Sequence, residues 1–447
     1  MLSSSGVQTW GGDVVSVSAP TPWLARRLFP LLATAGLIAI GMASTIWWGP
    51  HLVGKSDWSL PDDLWGTLVA ARRLLHLDLG GLYTRPTALV TFPGAAVILV
   101  PVVAIIDAAG LSLRAAGASN PHPGAWLLAG PYEIALSAVA LFAADAIAER
   151  LGVARPKRAV LAAAGAVALW SVSVRWGHPE DAVAVGLLLF GILALSDSKV
   201  GRSAWLIGAA VAVQPLILLA LPVVLVVIEP RRLAGFLTRA AAPGAVLLGA
   251  AAAANWNATF KAVTSQPNSP AVDHPTAWTS LAPHVGNGAV AAGPARALSI
   301  LVACGCALVV GRRWRAVRQT APWSPEALQD LLWWAAVALA LRSVFEPVMV
   351  AYYLWPVLAV ALITASTSWS RLVATSLAAT TLTLVSQISW RGPWSWWAPM
   401  VAGLGLTLFL ARVPLHMRGV TRRSVKAAPP LDPAQSQGSH ESLGRVS

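Results

Sequence analysis

The sequence predicts an all-α, polytopic membrane protein, and three observations carry that reading. Of 447 residues, 56% are apolar and only 11% are charged, a balance that excludes an ordinary soluble enzyme. Apolar runs of about 20 residues, enough to cross a hydrocarbon core of roughly 30 Å, recur between positions 29 and 412. The basic residues that give a formal net charge of +13 sit in short clusters between those runs, which is how membrane topology is encoded. The charge is therefore read as topological, and no nucleic-acid partner is expected. Cys304 and Cys306 are two residues apart in one apolar run and point in different directions on a helix, so they form no disulfide framework.

The apolar segments are 29–48, 88–109, 126–148, 158–176, 181–196, 204–228, 240–256, 295–311, 326–345, 348–367, 371–389 and 394–412. The first follows Arg26-Arg27 as a signal peptide's core would, but its length and the many segments after it predict an uncleaved span. Basic clusters at 26–27, 150–158, 199–202, 231–239, 312–318, 371 and beyond 412 should all be cytoplasmic. They fall on one side if 88–109 and 204–228 enter and return rather than cross. Each contains two prolines, Pro93 with Pro101 and Pro215 with Pro222, which break helices where a protein cavity satisfies the freed backbone. The expectation is thus about ten to twelve transmembrane helices with both termini cytoplasmic in the cell membrane. Residues 1–28 form a cytoplasmic lead, 29–412 the membrane domain, and 413–447 a cytoplasmic tail, whose Pro, Ser, Gln and Gly content predicts disorder.

On that topology the polar residues gather in outer loops. In the loop 49–87, Leu64, Trp65, Leu68, Leu75 and Leu79 recur at helical spacing, with Arg72, Arg73 and His76 on another face. The pattern predicts an amphipathic helix on the membrane surface that seats a lipid headgroup. Just before it, Asp57, Asp62 and Asp63 place three carboxylates within seven residues. They read equally as a general base toward a hydroxyl and as N-terminal capping of that helix. A second concentration is the turn from Arg175 through His178 to Glu180 and Asp181, one cation, one imidazole and two carboxylates between two apolar runs. Weaker candidates are Asp273 with His274, and Arg342, Glu346, Tyr352 and Tyr353 near another outer junction. Arg342 and Glu346, one turn apart, read as an ion pair or an anion site. Glu133 lies inside an apolar span, either functional or bonded to a neighbouring helix.

Several of these stretches occur in an order that goes beyond polarity. An acid follows the first span, and Ala70 to Leu75 leads to Gly80-Gly81-Leu82-Tyr83 and then Phe92-Pro93 with Pro101. Further on stand Gly177-His178-Pro179-Glu180-Asp181, the run Gly208 to Pro215 closing in Leu221-Pro222, and Tyr352 to Pro356. Across most of 29–412 this resembles the GT-C superfamily of integral-membrane glycosyltransferases, in particular the actinobacterial polyprenyl-phosphate-mannose-dependent type. Gln214 and Gly94 depart from the pattern, standing where many such enzymes carry lysine and a second proline.

The resemblance implies transfer of a sugar, mannose before arabinose, from a polyprenyl phosphate donor to a lipoglycan or cell-envelope glycan acceptor on the outer face. It assigns the base to Asp62 or Asp63, with Asp57 in reserve. Substrate contacts would come from Arg175, His178, Glu180, Asp181, His274, Arg342, Glu346, Tyr352 and Tyr353. Arg342 and then Arg175 would stabilise the leaving phosphate, with no metal and no cofactor. Partners would be the donor, the glycolipid or glycan acceptor and membrane lipids. The rival reading is a transporter or lipid flippase, since interrupted helices and an intramembrane acid also describe those proteins.

Overall fold

The computed structural model describes residues 23–48, 62–84, 89–113, 124–266, 268, 270, 274–286, 288–317, 323–388 and 394–412. Asp57, Asp273, the lead before residue 23 and the tail beyond 412 lie outside them. The described chain is almost entirely helical. In order, its longer helices are α1 (Leu28–Trp48), α2 (Asp62–Leu75), α3 (Val100–Ala108), α4 (Trp126–Ser137), α5 (Val139–Arg150), α6 (Arg155–Trp170), α7 (Pro179–Ser196) and α8 (Val200–Val213). There follow α9 (Pro230–Ala254), α10 (Trp256–Ser265), α11 (Gly293–Val317), α12 (Pro325–Phe345), α13 (Trp355–Ala365), α14 (Trp369–Val385) and α15 (Trp397–Ala411). Two small ladders complete it: β1 (His274–Pro275) pairs antiparallel with β4 (Val348–Met349), and β2 (His284–Gly286) with β3 (Ala289–Val290).

Among the described residues, six helices are long and apolar enough to cross a membrane: Trp126–Arg150, Arg155–Arg175, Pro179–Ser196, Pro230–Ala254, Gly293–Ala316 and Pro325–Phe345. The chain is therefore a helical membrane protein. Four shorter apolar helices stand beside them, at Leu28–Ala43, Val200–Val213, Ala351–Ala365 and Trp397–Ala411. The apolar segment 348–367 holds less helix than its hydropathy implies, because Val348–Met349 is strand and Ala351–Leu354 a tight 3-10 turn before α13 begins.

Both proline-bearing segments are interrupted. After α8 the chain turns extended at Gln214 (φ −146°, ψ 114°), and Pro215, which has no N–H to continue the ladder, opens a 3-10 turn to Leu219. Residues 94–97 and α3 are likewise separate pieces. Gly94 sits so close to α8 that a Cβ there would lie 2.3 Å from the carbonyl oxygen of Ala212. A second proline would not fit, and this close approach brings Thr91 to Gln214.

The amphipathic helix forms as α2, but it does not present its apolar face to lipid. Leu64 and Leu68 are fully buried against Leu99, Val103 and Ile106 of the interrupted segment. Its basic face is engaged too: Asp107 accepts from Arg72 at 3.1 Å and lies 3.5 Å from His76 Nε2. Arg73 donates to the carbonyls of Gly81 and Thr84. Helix α2 is thus packed on the protein, and its cations have partners there.

At the end of α1 that carries the Arg26-Arg27 pair, a buried charge cluster ties three helices together. Asp145 of α5 accepts from Arg27 at 3.0 Å and from Arg158 of α6 at 2.7 and 2.6 Å. Arg27 also reaches Glu149 at 2.5 Å, and Arg158 donates to the Arg26 carbonyl at 2.8 Å. Burying charge this way is tolerable only because the partners are close and numerous.

Candidate functional site

A cavity of about 430 Å³ opens where α2, the start of α7, the break after α8, the start of α11 and the end of α12 meet. The turn that delivers its main charges is built locally. The last turn of the α6 span, Ser171–Arg175, is π-helical, a widening often found at functional sites. Gly177 then takes φ +66°, a left-handed conformation that a side chain would strain. Pro179 at the first position of α7 starts the next helix at once. Trp176 and His178 thereby come to the cavity wall. Arg175 is exposed and is not among the lining residues, since the widened turn sets its neighbour on the wall instead.

His178 is buried between two carboxylates. Its Nδ1 lies 2.6 Å from Glu180 Oε1 and its Nε2 3.0 Å from Asp63 Oδ2. Both ring nitrogens face carboxylate oxygens, an arrangement in which two ionised carboxylates are each met by an N–H of an imidazolium. Burial alone would push the ring's pKa down, but the charge of Glu180 and the hydrogen bonds to Asp63 and Glu180 outweigh it, holding the value well above 6.5. Burial would raise the pKa of Asp63, but the hydrogen bond and charge of His178 prevail and hold it below 3.8. Asp63 is an ionised carboxylate with half its side chain exposed on the cavity. Asp62 opens α2, and its side chain lies outside the described residues.

Glu180 and Asp181 do not serve as helix caps. No side chain caps α7, and the two carboxylates turn to other partners. Asp181, wholly buried, accepts from Gln214 Nε2 at 2.6 Å and lies 3.6 Å from Arg342 Nη1. Gln214 in turn accepts from Thr91 at 3.2 Å, which ties both interrupted segments to the site. The Arg342 guanidinium stands 3.6 Å over the Tyr353 ring, and Tyr352 stacks on His178 at 3.8 Å between ring centres. Three buried atoms have no hydrogen-bond partner here: Glu180 Oε2, Asp181 Oδ2 and Arg342 Nη1. Glu133 of α4 is completely buried, and neither of its carboxyl oxygens has a hydrogen-bond partner.

The expected pair of Arg342 with Glu346 does not form as a direct contact. α12 ends at Phe345, and Glu346 is already extended (φ −69°, ψ 137°), so the one-turn spacing no longer applies. Glu346 pairs instead with Arg296 of α11 at 2.5 Å, and Arg296 also donates to Gln266. His274 stands apart from the lining residues, its ring stacked on Trp396 at 4.1 Å.

The sequence reading passed over Arg296 and Gln214 as site residues. A signal existed for each. Arg296 is a lone cation at the expected outer end of an apolar run, where basic residues are disfavoured. Gln214 is an amide in the middle of an apolar segment.

The cavity is two-sided. Asp63, His178, Glu180, Arg296, Arg342 and Glu346 supply charge, while Leu216, Leu218, Leu219, Ile300, Leu341 and Val350 supply an apolar wall. Such a site offers a carboxylate to a hydroxyl, two guanidinium groups to an anion and a greasy surface to a hydrocarbon chain. Among the described residues no group of three or more His, Cys, Asp or Glu side chains is arranged to hold a metal ion. No protein-family model matches this chain, and a search of curated proteins finds no match.

Proposed function

We propose that the chain is a membrane glycosyltransferase of GT-C type that moves a sugar, mannose first, from polyprenyl phosphate to a hydroxyl of a lipoglycan or cell-envelope glycan. The observation that carries the reading is one shared cavity in which an ionised, half-exposed Asp63 meets Arg296 and Arg342 beside an apolar wall. The prenyl chain lies along Leu216, Leu218, Leu219 and Ile300, and the donor phosphate sits toward the two arginines. Asp63 takes the proton of the acceptor hydroxyl as its oxygen bonds to the anomeric carbon. The bond from that carbon to the phosphate oxygen breaks, and the phosphate leaves on its lipid with the electron pair. Arg296 and Arg342 stabilise that charge. In this reading Arg296 replaces Arg175 as the second phosphate contact.

The same reading takes the topology as ten crossings with two interrupted segments, both termini cytoplasmic and the site facing outward at the cell membrane. A second reading, transport, is favoured by one observation, the unpartnered carboxyl of Glu133 in a spanning helix.

The test is sugar transfer by purified protein in nanodiscs, with radiolabelled polyprenyl phosphate mannose or arabinose and membrane glycolipid acceptors. Wild type should transfer, and Asp63→Asn should lose about a thousandfold in rate while still binding donor. Transfer undiminished in Asp63→Asn overturns the assignment of the base. Absence of transfer, with lipid or solute uptake into proteoliposomes, overturns the enzyme.

A further inference from the structure

A second cavity, of about 520 Å³, lies at the far end of α7 and α8 from the first. α7 carries Glu180 and Asp181 in its first turn and ends at Ser196, where the chain turns through Asp197, Ser198 and Lys199 into α8. Eighteen residues of helix, at about 1.5 Å each, span roughly 27 Å, close to the thickness of the hydrocarbon core. The two cavities therefore belong to opposite faces of the membrane.

The second cavity is lined by Lys199 and Arg202 from one strand of sequence and by Arg231, Arg232 and Arg239 from another. In the sequence these are two separate topological clusters. Packing of α8 on α9 brings them to one concavity. Asp197 pairs with Lys199 at 3.4 Å, and Glu229 with Arg231 and Arg232 at 2.6 and 3.4 Å. Arg202 and Arg239 have no carboxylate partner among the described residues; Arg239 reaches only the carbonyl of Gly235, at 3.4 Å. Among the described residues, five cations against two acids leave a formal excess of three positive charges around a space large enough for a headgroup.

The surroundings decide between a soluble anion and a lipid. Trp205, one turn beyond Arg202, is 52% exposed, and Val246, two turns beyond Arg239 on the same helix face, is 68% exposed. Only 22% of the apolar window of α9 is buried within the protein, so most of that helix faces the bilayer. A basic cavity continued by outward apolar side chains matches a molecule with a phosphate at one end and acyl chains at the other.

We propose that this cavity binds the phosphate of an anionic phospholipid headgroup, held by Arg202 and Arg239, with the acyl chains against Trp205 and Val246. The inference stands apart from the sugar-transfer reading, and its test does not measure transfer. Full-length protein in mixed phosphatidylcholine and phosphatidylglycerol is extracted, and its retained lipids are counted by native mass spectrometry. Wild type should retain phosphatidylglycerol in preference. The double variant Arg202→Gln with Arg239→Gln should lose about tenfold of that preference.

Arg312→Gln with Arg315→Gln removes two exposed cations elsewhere and should leave the preference intact. Equal retention of both lipids by wild type, or equal loss in the two double variants, overturns the site. Thermal protection of wild type by inorganic phosphate, without any lipid preference, overturns the lipid as its source. All four substituted side chains are exposed, and a matching unfolding midpoint in each variant confirms that the fold is kept.

Discussion

Two groups of buried charge sit in this molecule, and they are built on opposite plans. Around Asp145, two arginines close on two carboxylates, and both oxygens of Asp145 are held by guanidinium groups. Around His178, the partners are as close, yet Glu180, Asp181 and Arg342 each keep an atom without a hydrogen bond, and Glu180 and Arg342 line an open cavity. The Asp145 network leaves one buried atom, Arg27 Nε, without a hydrogen-bond partner, and its carboxylates are held by guanidinium groups. The His178 group leaves three such atoms, two of them on residues that line a cavity, and so holds binding capacity in reserve. The contrast separates the two more sharply than charge or burial does, since both groups are buried and ionic.

Variants of the closed group and of the open group should fail in different ways. Asp145→Ala strands two buried arginines and should cost about 3–5 kcal/mol of stability, read by denaturant unfolding, with unchanged transfer per folded molecule. Arg342→Gln should cut kcat about a hundredfold in the transfer assay while costing less stability than Asp145→Ala, because Gln214 still donates to Asp181.

The open group should also carry a pH signature. His178 has a folded pKa above its ordinary 6.5, so its stabilisation is full below about 6.5 and is lost as pH rises through the raised value. Asp63 has a folded pKa below 3.8, so its contribution is full above that value and is lost as pH falls through the lowered one. Unfolding measured against pH should show both contributions between about 3.8 and 6.5, with an alkaline decline that His178→Gln removes. Glu133→Gln should change least, within about 1 kcal/mol of wild type by thermal unfolding, because it removes no hydrogen bond.

Much of this architecture was legible in the residues. Apolar runs located the helices, and Pro215 marked the break after α8 because proline withholds the backbone donor. The turn at 175–181 stood out because four titratable groups crowd between two apolar runs. What could not be read depended on where helices end and how they pack. Arg342 and Glu346 pair in sequence logic only if α12 continues past Phe345, and it does not. Arg296 meets Glu346 across 50 residues, a contact that no local pattern encodes. The same holds for the two basic clusters, separate in sequence and gathered by the packing of α8 on α9.

The central claim is that Asp63 acts and Asp145 supports. The most direct test measures kcat for sugar transfer and the unfolding midpoint together, in Asp63→Asn and in Asp145→Asn. The account predicts a crossed result: Asp63→Asn loses transfer by about a thousandfold at an unfolding midpoint near that of wild type, while Asp145→Asn loses stability and keeps transfer per folded molecule. If both variants lose stability and transfer in proportion, the cavity around His178 is another structural network, and the account is contradicted.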